Sequence, residues 1–194
     1  MIKTLGLVFS LSLSAQNMLY FGAGVGNSSR FGYEPPTTNL MAGGEFSLGQ
    51  VLSLNEFDWS PTNKIAYGTV DNFAVQNDLL IRLPHGLLAG PGVKVGRILF
   101  RDYRQGYTDV LPIVNFGVET REGLRLVGRF HFPGTNERYH IEEFHADIKY
   151  RFKMLRFGFD FGLANFYSKP NPALKWSWQS KYMFYVQYIL HHPE

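Results

Sequence analysis

Residues 144–163 read FHADIKYRFKMLRFGFDFGL, and their alternation decides the fold. Phe144, Ala146, Ile148, Tyr150 and Phe152 alternate with His145, Asp147, Lys149 and Arg151. Past Lys153-Met154, Leu155, Phe157, Phe159, Phe161 and Leu163 alternate with Arg156, Gly158, Asp160 and Gly162. A period of two belongs to a strand, so the stretch is a hairpin broken at Lys153-Met154. One face is large and apolar; the other is charged or glycine. The first must meet something oily, and the second water or a network of ion pairs.

The composition sharpens the choice of surroundings. The chain has 194 residues, of which 45% are hydrophobic, 16% aromatic and only 18% charged, with 17 Phe, 11 Tyr and 20 Gly. Soluble domains carry roughly 25% charged residues. The length suits one domain or one closed barrel. A net charge of +3 with no Lys/Arg run points away from nucleic acid as a partner. Zero cysteines exclude disulfides, thiolate metal sites and a cysteine nucleophile. At the N-terminus, Lys3 precedes an apolar run from Leu5 to Leu13 that ends in Ser14-Ala15, the form of a secretory signal. The expected division is a signal peptide over 1–15 and a single barrel domain over 16–194.

The rest of the chain repeats the pattern of the hairpin. Leu19, Phe21, Ala23 and Val25 alternate with Tyr20, Gly22, Gly24 and Gly26; Leu40 to Leu48 and Phe73 to Leu83 alternate likewise, with Asn77 an odd polar residue on its apolar face. The segment from Val51 to Phe57 is the weakest strand. Leu87 to Phe100 shows a parity fault at Arg97, read as a bulge. Long connections are expected at 28–39, 59–70, 102–108, 133–140 and 168–174, and short ones at 49–50, 84–86, 121–122 and 153–154. This alternation of long and short is that of outer-membrane barrels. The expected fold is therefore all-β: a closed antiparallel up-and-down transmembrane β-barrel of about ten strands, or eight if two merge.

Three features place the oily face outside. The strands reach the 9–11 residues of a tilted membrane crossing and exceed the usual soluble length of about five to six. Glycines stud the charged face at Gly22, Gly24, Gly92, Gly96, Gly117, Gly158 and Gly162, giving room for long side chains in a narrow lumen. Aromatics gather near strand ends at Tyr167, Trp176, Trp178 and Tyr188, as in an interfacial girdle. The competing architecture is a soluble secreted barrel that binds an apolar ligand within.

The opening strand Leu19-Tyr20-Phe21-Gly22-Ala23-Gly24-Val25-Gly26 and the final strand with Phe184, Val186 and Tyr188 resemble those of small bacterial outer-membrane β-barrel proteins. The chain departs from them at Ile189 to Glu194, which runs on past the terminal aromatic. The resemblance implies the outer membrane of a diderm bacterium, its lipid as surroundings and the barrel-assembly machinery as a partner in biogenesis. It implies a structural, surface-binding or narrow-channel role, with an external ligand meeting loops 28–39, 59–70, 133–140 and 168–174.

Inward positions include Arg82, Lys94, Glu119, Arg125, Arg129, His131, Glu143, His145, Asp147, Lys149, Arg151, Arg156, Asp160 and Lys181. Among them His131, Glu143, His145 and Asp147 are the candidate catalytic residues, since a histidine beside an acid is the usual general-base arrangement. A lipid A or phospholipid-modifying hydrolase is the enzymatic alternative. Such barrels usually present His-x-Ser on one strand, whereas the histidines here read His131-Phe132-Pro133, His140-Ile141-Glu142 and His145-Ala146-Asp147. Barrel proteases use Asp-Asp and Asp-His pairs near the outer rim, and Asp102, Asp109 and His140, scattered in or beside outer loops, match them only loosely. His140 and His145 fall on opposite faces of one strand, so no metal or other cofactor is expected; nor is a phosphate loop, because no helix follows the glycines from Gly22 to Gly26. Export by the signal predicts that mass spectrometry of membrane-extracted protein finds an N-terminus at Ala15 or Gln16; an intact Met1 would refute it.

Overall fold

A computed structural model describes residues 16–28, 37–65, 68–100, 105–134, 139–168 and 175–191. The expected signal, residues 1–15, lies outside them. Ten strands follow one another: β1 (Gln16–Ser28), β2 (Thr37–Leu48), β3 (Val51–Ile65), β4 (Gly68–Arg82), β5 (Leu87–Phe100), β6 (Gln105–Glu119), β7 (Leu124–His131), β8 (Tyr139–Phe152), β9 (Leu155–Ser168) and β10 (Lys175–His191). Each pairs antiparallel with its neighbours in sequence, and β1 pairs with β10, so the sheet closes. Closure leaves no unpaired edge. The expected ten-stranded up-and-down barrel is the observed fold.

The hairpin of residues 144–163 has its expected form. Phe152 pairs with Leu155 and the ladder runs without a shift to Tyr139 and Ser168. Lys153 takes a positive φ of 54° to make the turn. Along β8, Ile148, Tyr150 and Phe152 are exposed while His145, Asp147 and Lys149 are buried; along β9, Phe157 is exposed and Arg156 buried. The oily face is therefore outside and the charged face inside.

The other short turns fall where turn chemistry puts them. Gly49 opens the β2–β3 turn at φ 58°, and Pro84–Gly86 form one 3-10 turn between β4 and β5. Gly123, at φ 86°, accepts a hydrogen bond on its carbonyl from the backbone N–H of Arg151.

Three expectations need correction. The stretch 59–70 is not a long loop: β3 continues to Ile65 and β4 begins at Gly68. The pairing shifts between Ser60 and Asn63, which passes over Pro61, and proline is tolerated at such an irregularity because it owes the ladder no N–H. Trp59 stacks on Phe73, with ring centroids 6.1 Å apart, where this extension begins. The connection expected at 102–108 is shorter, since β6 begins at Gln105. The parity fault at Arg97 is not a bulge, for β5 pairs in unbroken register with β6 on one side and through Arg97 with β4 on the other; Arg97 simply faces outward near the strand end.

The weak third strand is genuine, and its weakness has a cause. Its inward side carries Leu52 and Leu54, while its outward side carries Ser53 and Asn55. Asn55 lies directly opposite Asn77, and their side-chain amides hydrogen-bond to each other. Two polar residues on the oily face thus satisfy one another. Inside, Leu52, Leu54, Leu80, Leu88 and Val127 form an apolar cluster towards the end with the short turns.

The lumen glycines make room for specific neighbours. Gly158 stands opposite Tyr185, and a Cβ there would collide with the tyrosine ring. Gly162 likewise faces His145, Gly92 faces Asp78 and Gly43 faces Tyr20. Gly158→Ala is predicted to destabilise the barrel by about 1–3 kcal/mol, as overpacking does. In a Tyr185→Ala background the same change should cost much less, a non-additivity that a double-mutant cycle on urea unfolding measures. Additive costs would show that the ring does not rest on Gly158.

Candidate functional site

Burial on the inner face forces the charged residues together, because an ion removed from water must find a partner or hydrogen bonds. They form three connected groups along the lumen. Nearest the short turns, the Arg125 guanidinium forks onto both oxygens of Glu45, at 2.9 and 3.1 Å, and also donates from Nε to Glu119 at 3.0 Å. Arg82 meets the other oxygen of Glu119 at 3.1 Å, and Arg156 reaches Glu45 at 2.7 Å while lying over the Tyr20 ring.

Midway, Arg129 bridges Asp78 at 3.1 Å and Asp147 at 3.3 Å. Lys149 bridges Asp147 at 3.1 Å and Glu56 at 3.2 Å. The hydroxyls of Tyr185 and Tyr20 donate to Asp147 and Glu56, and Asn115 donates to Asp78 at 3.1 Å. Every carboxylate in this group thus has both a cation and a neutral donor.

Towards the β7–β8 connection lies a third group with histidines. His131 is the last residue of β7 and pairs in register with Glu143 on β8; His145 follows on the same face. His131 Nδ1 is 3.0 Å and His145 Nε2 is 3.2 Å from Glu143 Oε2. His145 Nδ1 faces both oxygens of Asp160 at 3.2 Å. Lys94 crosses from β5 to place Nζ 2.6 Å from Glu143 Oε2. The two imidazole rings are 5.1 Å apart.

Of the four candidates from sequence, His131, Glu143 and His145 come together and Asp147 does not. It belongs to the middle group with Arg129 and Lys149, and Asp160 takes its place beside His145. The described partners of both imidazoles are carboxylates, so the group holds bases and acids without a serine or threonine bonded to either ring. One ring nitrogen of each histidine and a Glu143 oxygen lie within 4.8 Å of one another, the one cluster of metal-ligating type among the described residues. Asp109, considered with Asp102 and His140, is buried and accepts the backbone N–H of Val110. Asp102 and the side chains of His140, Lys181, Tyr167, Trp176 and Trp178 lie outside what is described. Arg151 is half-exposed near the Lys153-Met154 turn.

Sequence reading passed over Glu45, Glu56, Asp78, Tyr20 and Tyr185, each of which completes an ion pair or a hydrogen bond in the lumen. Strand parity was the signal that could have found them. Tyr20, Glu45 and Tyr185 all sit between residues assigned to the oily face. No protein-family model matches the chain, and no curated protein matches it significantly.

Arg129→Met takes from the buried Asp78 carboxylate the cation that meets it and leaves Asp147 with Lys149 alone, and is predicted to lower the unfolding free energy by about 3–5 kcal/mol. Arg82→Met, at a pair that is partly exposed, should cost about 0–1 kcal/mol. Urea titration followed by tryptophan fluorescence compares the two, and equal costs would contradict the buried network.

Proposed function

We propose that this chain is an integral outer-membrane β-barrel whose interior is plugged by paired charges, and whose role is structural or surface-binding. The observation that carries the reading is the inversion of the usual burial pattern. Phe21, Leu40, Phe57, Val75, Val95, Val114, Phe130, Ile148, Phe157 and Phe184, one from each of the ten strands, are exposed on the outer wall. Monomeric soluble proteins rarely leave apolar patches beyond a few hundred Å² in water. A continuous belt of this kind fits hydrocarbon, where a closed barrel also satisfies every backbone group internally. No helix among the described residues is long and apolar enough to cross a membrane; a barrel crosses with its strands.

The charged interior favours a plugged barrel over a channel. A ring of eight strands leaves room for side chains alone and open pores appear at about sixteen, so ten lies near the closed end. The three ionic groups and the Leu52, Leu54, Leu80, Leu88 and Val127 cluster occupy that space. The same interior weighs against a soluble barrel carrying an apolar ligand. A hydrolase would find acids and bases at His131, Glu143, His145 and Asp160 but needs a partnered hydroxyl as well.

Heat-dependent migration on detergent gels tests the location. The folded protein should require detergent and should run at a different apparent mass before and after boiling. Solubility without detergent would refute the membrane reading. In planar bilayers the protein should give no large, stable conductance; a porin-sized current would show that the charges line a pore.

A further inference from the structure

The cluster at the β7–β8 end of the lumen has the composition and spacing of a metal site. Donor atoms bound to one tetrahedral zinc ion at about 2.0–2.1 Å stand about 3.3 Å apart. The separations from Glu143 Oε2 to His131 Nδ1 and His145 Nε2, 3.0 and 3.2 Å, are already close to that value.

Asp160 adds a second, independent feature. Its carboxylate lies against His145 Nδ1 at 3.2 Å, the partner that metal-binding histidines commonly have on the nitrogen away from the metal. On the other side of the ring, His145 Nε2 and His131 Nδ1 converge on the same Glu143 oxygen. Lys94 brings a positive charge to that oxygen through a flexible stem, with Nζ 2.6 Å away. His131, whose side chain is 1% exposed, has Nε2 without a hydrogen-bond partner among the described residues, so the ring is held through Nδ1 at Glu143.

We propose that His131, Glu143 and His145 bind a divalent cation of the zinc class, with Asp160 positioning His145 and the Lys94 ammonium standing in for the metal when it is absent. Two imidazoles and one carboxylate suit zinc and its first-row neighbours, whereas calcium and magnesium seek oxygen ligands. Three protein ligands leave the fourth position to water. The site depends on the barrel interior alone, not on where the barrel resides.

The test uses the full chain folded in detergent, with His191→Ala and His192→Ala introduced so that the C-terminal histidines cannot take up metal. Titration with cobalt(II), read by its visible absorption, and competition with zinc(II) should show a single equivalent bound. Glu143→Gln and His145→Ala should abolish or greatly weaken binding, and Asp160→Asn should weaken it about ten- to hundredfold. Lys94→Gln should act in the opposite direction and tighten binding, because it removes the competing ammonium. Circular dichroism establishes that each variant is folded. Failure of the parent to bind a stoichiometric metal overturns the proposal, as does binding that survives both Glu143→Gln and His145→Ala, or weaker binding in Lys94→Gln.

Discussion

Charges enclosed by a ten-stranded ring have nowhere to go, and the interior is ordered by that confinement. A carboxylate or guanidinium held away from water is stable only when its partners meet it with good geometry. Glu45, shared by Arg125 and Arg156, and Asp147, shared by Arg129, Lys149 and Tyr185, show how the requirement is met. Some of the partners come from strands far apart in sequence, and those pairs also tie one side of the ring to the other. Arg125 and Glu45 are 80 positions apart, and Lys149 and Glu56 are 93. Backbone pairing closes the wall, and side-chain pairing fixes the space it encloses.

The outer wall obeys a simpler rule. Aromatic rings line up across adjacent strands, with Phe130 packed 5.6 Å from Phe116 and 4.8 Å from Phe144, and Phe159 4.7 Å from Phe184. Phe116 lies over Gly128 of the next strand. Where polar residues interrupt the belt, at Asn55 and Asn77, they face each other across β3 and β4. An amide pair that satisfies itself can sit on an apolar surface at little cost.

Much of this was legible because period-two alternation encodes which face is which, residue by residue. The hairpin of residues 144–163, the ten strands and the inward direction of His131, Glu143 and His145 all follow from parity. Register across strands is not encoded so locally. Asp147 stands two positions from His145 in sequence, yet strand geometry sends it to Arg129, and the acid that joins Glu143 beside His145 comes from β9, at Asp160. The same limit hid Glu45 and Asp78, whose roles appear only once opposite walls are brought together. At Trp59 to Asn63, turn-forming composition misled because a proline at an irregular pairing step does not end a strand.

The facing of large inward side chains by glycines bears on how the strands find their alignment. Tyr20 lies opposite Gly43, Asp78 opposite Gly92, His145 opposite Gly162 and Tyr185 opposite Gly158. A slip of one residue would reverse the faces and is rejected by the oily pattern itself. A slip of two would preserve the faces and escape that control. It would, however, move Tyr185 off Gly158 and set it against Arg156 or Asp160, one large inward side chain against another. The glycine hollows thus act as alignment marks that separate the native pairing from its nearest look-alike, a discrimination that hydrophobicity alone cannot make.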